Sequence, residues 1–302
     1  GVAMAANYAA AAIGTETSGS ILSPSSSNSI VGLKPTVGLF SRDGIVPISS
    51  TLDTPGPMTR NVTDNAILAS AMSGEDANDA ATKNNPKGIA YWKNLRESSL
   101  QGIRFGVNKQ FLSDSIYQLS VEKIKDAGGI IITFEPEKMD FEGFGTLLSA
   151  DMKIDLPEYL SKHASENVSI KSVVDVVRFN KMDTLIRIPY GQGRFDGILE
   201  TNLTEEEHQE LKKKLHEAGK AFFEQPMSKH NLDVVLSINN WNAGQAAVAK
   251  YPCLTVPMGY TESGNPIGLT FIAKPFEEEK LLKMGYAFEQ LTKSRQLPAN
   301  YQ

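Results

Sequence analysis

Gly14-Thr15-Glu16-Thr17-Ser18-Gly19-Ser20-Ile21, with Gly32-Leu33-Lys34-Pro35-Thr36 downstream, is the stretch on which the reading of this chain turns. It puts a serine at the end of a glycine-rich turn, where backbone N–H groups can converge on an oxyanion. Gly19 leaves no side-chain bulk beside Ser20 and permits backbone angles that other residues resist. A serine nucleophile needs donors for the developing negative charge and a base for its proton. The turn supplies the donors. None of the four histidines lies beside it to supply the base.

The surrounding chain is ordinary for a globular protein: 302 residues, 41% hydrophobic and 22% charged, enough for one large domain or two small ones. A net charge of −5 gives no basic footprint for nucleic acid and no polybasic patch for a membrane surface. No run reaches the ~18 apolar residues of a spanning helix. The single cysteine, Cys253, excludes an internal disulfide framework and a cysteine-rich metal site. It lies in an apolar run between prolines and reads as a buried, inert thiol. No signal peptide is visible. The compartment stays open, with the cytoplasm favoured.

Along the chain, residues 2–13 are Ala-rich and nearly uncharged and predict a helix buried on most sides. Residues 23–29 are rich in Ser, Pro and Asn and read as loop. A helix is expected over 62–73, a strand over 102–108, an amphipathic helix over 113–127 and a buried strand over 129–134. That strand–helix–strand order favours parallel pairing. Residues 142–225 read as mostly helical, with Thr204 and the acids after it as a helix start. Strands are expected at 232–238, 254–256 and 269–272, and a closing helix at 276–291. One α/β domain with no internal repeat is the simplest account.

The opening motif continues in a fixed order. Leu52-Asp53-Thr54-Pro55-Gly56-Pro57-Met58-Thr59-Arg60 follows it, then Ala249-Lys250-Tyr251-Pro252-Cys253-Leu254-Thr255-Val256-Pro257 and Gly268-Leu269-Thr270-Phe271-Ile272. On these residues the chain resembles the amidase signature family, serine hydrolases that cleave carbon–nitrogen bonds. It departs from the usual pattern at Glu16, where Asp is usual, at Ser18, where Gly is usual, and at Leu22, where Arg is common. The resemblance implies an α/β fold with a large mixed, mostly parallel central sheet flanked by helices. It would occupy residues 1–302 as a single domain with a variable helical region at about 142–225. It implies Ser20 as the acylated nucleophile and the N–H groups of Thr17, Ser18, Gly19 and Ser20 as the oxyanion hole. The family's base is a neutral lysine that acts through a second serine on a cis peptide bond. Both match positions before Gly1, so the chain reads as the C-terminal two-thirds of an amidase with its N-terminal part absent. Lys34 is no substitute, because it matches the lysine of the Gly-Leu-Lys-Pro-Thr turn.

Other chemistry is weaker. Ser120 and Lys123 have Ser-x-x-Lys spacing but fall on an expected solvated helix face. His163, His208, His216 and His230 lie in polar surroundings and read as surface residues, without triad or metal spacing. Asn239, Asn240 and Trp241 follow a strand end, where open α/β sheets bind ligands. They are candidates for substrate binding, as are Asp155 and Tyr159 in the variable region. No metal and no cofactor are expected. The partner is a small amide or peptide amide, not nucleic acid or membrane, and the oligomeric state is open. Three functions follow: an amidase, closest to members that cut a C-terminal peptide amide; an amidotransferase A-type subunit acting on glutamine; or a non-catalytic remnant whose missing portion exposes apolar surface.

Overall fold

The computed structural model describes residues 1–298. Eight strands form one sheet in the order β1-β3-β2-β7-β8-β6-β4-β5. They are β1 (Ala12–Glu16), β2 (Val31–Lys34), β3 (Thr54–Thr59), β4 (Arg104–Asn108), β5 (Ile130–Phe134), β6 (Val234–Ile238), β7 (Cys253–Tyr260) and β8 (Pro266–Ile272). The helices that matter for the site are α1 (Val2–Ala5), α2 (Leu22–Ser27), α3 (Val62–Met72), α4 (Ser115–Asp126) and α5 (Phe144–His163). They continue as α6 (Val173–Lys181), α7 (Thr184–Arg187), α8 (Gly193–Glu200), α9 (Glu205–His230), α10 (Ala243–Ala249) and α11 (Glu278–Thr292). Among the described residues, no helix is long and apolar enough to cross a membrane.

The mixed α/β architecture agrees with the sequence, but the expected dominance of parallel pairing is overturned. Five of the seven strand pairings are antiparallel. Only β4–β5 and β4–β6 are parallel. The physical reason is connection length. β4 and β5 are joined through α4, the kind of crossover a parallel pair needs, whereas β7 and β8 are joined by a tight turn closed by the Thr261 N–H on the Asn265 carbonyl, which forces antiparallel pairing.

Alternate residues of each central strand feed opposite faces, as the two-residue period requires. In β6, Val234 and Leu236 join a core with Phe105, Tyr117, Phe271 and Phe288, under α3, α4 and α11. Val235 points the other way, to Leu22, Phe223, Tyr251 and Cys253, under α2, α9 and α10.

Three further expectations are corrected. Residues 2–13 are not one helix: α1 ends at Ala5, Asn7 takes a left-handed φ of 62°, and β1 starts at Ala12. Low charge does not mean burial here: Val2, Tyr8 and Ile13 are exposed, and only Ala12 and Ile13 of the run pair with β3. Residues 129–134 hold an edge strand, β5, in which Ile130 and Thr133 are exposed and only Phe134 is buried, rather than a buried strand. Residues 23–29 are not simply loop, because α2 runs from Leu22 to Ser27. Pro24 sits in its first turn, where a missing N–H costs nothing.

β3 went unread as a strand because Pro55 and Pro57 argue against a central position. The Asn65 side chain of α3 donates to the Pro57 carbonyl (3.0 Å) and ties α3 to this strand.

Candidate active site

β1 delivers the chain to the turn and α2 takes it away. Glu16, the last residue of β1, folds the segment back on itself: its Oε2 accepts the N–H groups of Ile21 (2.8 Å) and Leu22 (2.9 Å). Thr17 Oγ1 donates to Asp53 Oδ1 at 2.5 Å. Gly19 is buried and has φ of +93°, a conformation that favours glycine. Its carbonyl accepts the Ser23 N–H (2.7 Å). Ser20 is exposed. Among the described residues, no protein acceptor takes the N–H groups of Ser18, Gly19 or Ser20, which leaves them open to a ligand oxygen.

α2 anchors this turn to the sheet with small residues. Ser25 and Ser26 are buried and fit against glycines: a Cβ on Gly32 would stand 2.2 Å from Ser25 Oγ, and one on Gly268 would stand 3.0 Å from Ser26 Oγ. Ser26 Oγ also meets Thr255 Oγ1 (3.1 Å). The serine run that reads as loop is therefore a packing face, made polar and small so that the backbones can approach.

Behind Thr17 lies the loop 48–53. Asp53 Oδ2 accepts the N–H groups of Ile48 and Ser49, both at 2.8 Å. Burial pushes the Asp53 carboxyl above the usual carboxylate range, against the pull of the Thr17 hydroxyl and these N–H groups. Asp155 Oδ2 accepts the Ser50 N–H (2.6 Å), and its carboxyl is likewise raised by burial. Asp155 and Tyr159 line a cleft with Arg42, Ser50, Asp53 and Glu158. Arg42 is committed to Asp79 through Nε (2.9 Å) and Nη2 (2.7 Å). The role of Asp53 is not legible from the sequence, because its partner is 36 residues away and only the fold brings them together.

The other candidates, Asn239, Asn240 and Trp241, follow β6, and none of them lines that cleft. A Cβ on Gly19 would stand 3.0 Å from Asn240 Nδ2, so Asn240 abuts the turn directly. Trp241 is exposed and meets Phe111 edge-on, with centroids 5.2 Å apart. Asn239 differs: its Oδ1 accepts the Gly268 N–H (2.8 Å) and its carbonyl accepts the Thr270 hydroxyl (2.5 Å). Its polar groups are spent on holding the corner after β6.

Lys34 is fully buried and donates to the Tyr251 carbonyl (2.6 Å), with its ammonium pKa pushed down by burial. Cys253 beside it is buried, and burial lifts its thiol to about 12. The expected surface position of His208 is overturned: it is buried, with Nε2 2.7 Å from Asp151 Oδ1, because α9 packs this polar turn onto α5. Ser120 is also buried rather than solvated, its hydroxyl donating to the Ile116 carbonyl (2.9 Å). Among the described residues no group of His, Cys, Asp and Glu side chains could hold a metal ion.

This mixed sheet flanked by helices is shared with solved amidases. The solved peptide amidase of Stenotrophomonas maltophilia superposes with a TM-score of 0.92 at 33% identity, over 98% of this chain and 65% of that one. An amidase family protein of Bacillus anthracis gives 0.92 at 34%, over 98% and 60%. A probable amidase of Arabidopsis thaliana is 33% identical over 98% of this chain and 60% of its own length. The Amidase family model matches residues 1–237. The chain belongs to the amidase family. It spans about 60% of the length of the curated amidase relatives it matches.

Proposed function

We propose that this chain carries the acyl-binding half of a serine amidase, with Ser20 as nucleophile and the N–H groups of Thr17, Ser18, Gly19 and Ser20 as the oxyanion hole. The observation that carries the reading is the Glu16- and Asp53-braced turn, which presents an exposed serine beside unengaged N–H groups. Ser20 Oγ attacks the amide carbonyl, the turn holds the tetrahedral oxyanion, the amine leaves, and water releases the acid. Proton transfer falls to the lysine–serine pair that the family resemblance places upstream, so full activity belongs to a protein that supplies it. Residues 1–302 alone are expected to retain the turn without its base. The substrate class is a linear amide, a C-terminal peptide amide first, from likeness to the peptide amidase. Asn240 and Trp241 would border the acyl group on one side, and Asp155 and Tyr159 the cleft on the other. Residues 1–302 are proposed to act as one domain.

Glutamyl-tRNA(Gln) amidotransferase A subunits are also similar, at 27% identity for that of Staphylococcus aureus. Glutamine would call for a cation facing its carboxylate, but of the cleft's cations Arg42 is paired with Asp79 and Lys162 faces Asp43 (4.0 Å). The amide reading is therefore preferred.

Fluorophosphonate labelling tests it, in wild type and Ser20→Ala, with the adduct located by peptide mass. It is run on residues 1–302 and on a longer form carrying the upstream lysine and serine. Labelling of Ser20 in the longer form, together with loss of the terminal amide from an amidated peptide, supports the reading. A folded longer form that labels elsewhere or not at all overturns it.

A further inference from the structure

We infer that Asp151 of α5 is a positioning residue for the Ser20 turn, acting through Ser49 and Asp53; the inference rests on the reading of Ser20 given above. Asp151 Oδ2 accepts the hydroxyl of Ser49 in a short hydrogen bond. The Ser49 N–H donates to Asp53 Oδ2 (2.8 Å), and Asp53 Oδ1 takes the Thr17 hydroxyl (2.5 Å) at the start of the turn. The Ser49 carbonyl closes the same loop by accepting the N–H groups of Leu52 (3.1 Å) and Asp53 (2.8 Å). One helical turn further along α5, Asp155 grips the neighbouring Ser50 N–H.

The chain of contacts is buried, with Asp53 at the edge of the cleft. Relative exposures are 1% for Asp151, 0% for Ser49, 6% for Asp53 and 7% for Thr17. Water does not replace these bonds when one is cut, and a buried donor left without its acceptor is costly. From α9, Lys212 Nζ sets a cation 3.3 Å from Asp151 Oδ1, and His208 Nε2 meets the same oxygen at 2.7 Å. That division of labour assigns one oxygen to charge balance and the other to the loop. It also excludes a triad here. The carboxylate stands between serine and histidine, so the histidine cannot take the serine proton.

A purely structural role, tying α5 to α9, makes a different prediction. Ser49→Ala cuts the link to the loop and leaves Asp151, His208 and Lys212 in place. Hydrogen exchange read by peptide mass reports on residues 17–22 whether or not the protein is active. With the relay, Ser49→Ala raises exchange in 17–22, read at the Ile21 and Leu22 amides that Glu16 Oε2 holds, by about tenfold, as expected for loss of a buried hydrogen bond. Exchange within 149–155 and 205–212 stays at wild-type level. Thr17→Val, at the far end, gives the same rise, and the double variant shows no more than Thr17→Val alone, because one path is cut twice. In the longer form the labelling rate of Ser20 falls in parallel. Should Ser49→Ala fail to fold, Asp151→Asn carries the same expectation for 17–22. Unchanged exchange in 17–22, or additive effects in the double variant, overturns the inference. Absence of Ser20 labelling in wild type would sink the functional reading and leave the exchange result to decide this one.

Discussion

Gly19 and Asn240 stand back to back across the site: the space a Cβ would need on Gly19 ends 3.0 Å from Asn240 Nδ2 and 3.6 Å from the Ala243 methyl. Together with φ of +93°, this makes the position intolerant of any side chain. Gly19→Ala is expected to lose about 1–3 kcal/mol of stability, the usual cost of an unfavourable backbone conformation. Urea unfolding would read it, and a midpoint equal to wild type would refute the stated strain.

The contact between Gly32 and Ser25 predicts coupling. Gly32→Ala drives a methyl to within 2.2 Å of Ser25 Oγ and is expected to cost about 1–3 kcal/mol as overpacking. Ser25→Gly makes room, so the double variant recovers part of the loss. A double-mutant cycle should return a coupling above about 0.5 kcal/mol; simple additivity would mean that α2 shifts as a body instead.

Glu289 predicts a pH dependence of stability. Burial pushes its carboxyl from the usual value near 4.5 up to about 7, although its Oε1 accepts the Val62 N–H (2.9 Å). Between those values the folded state holds a proton that the unfolded state has released. The contribution is therefore full below pH 4.5 and is lost as pH rises through 7. Glu289→Gln keeps the acceptor without the charge. It is expected to be more stable than wild type at pH 8, by about 1–3 kcal/mol, and similar to it at pH 4.5. An equal difference at both pH values would count against burial as the cause.

Cys253, with its thiol lifted to about 12 by burial, is expected to react with a disulfide reagent only as fast as the protein opens. The rate should rise with denaturant in step with unfolding. Rapid stoichiometric reaction in the native protein would contradict its burial.

Local signals reached far into this fold. The Thr204 capping box, with Glu207 reaching back, was legible because everything it needs lies within four residues. The strands β4, β5, β6, β7 and β8 were legible from apolar runs bounded by turns. What escaped depends on distant partners. β1 is split between an expected helix, which took Ala12 and Ile13, and an expected turn, which took Gly14 to Glu16, and β3 is masked by its prolines. The positions of Thr17, Ser18, Gly19 and Ser20 were named from sequence, as was Asn240. The Asp53 brace and the Asp151–Ser49 link were not, since nothing in residues 48–53 tells that a helix a hundred residues on will cover them.

The Ser25–Gly32 and Ser26–Gly268 fits carry one more consequence. A helix seated by hydroxyls in glycine notches has almost no side-chain slack to absorb movement. α2 is thus a short rigid lever whose fulcrum is the middle of the sheet and whose tip is the Ser20 turn. A shift of β2 or β8 is therefore expected to be passed on to the Ser20 turn rather than absorbed between them.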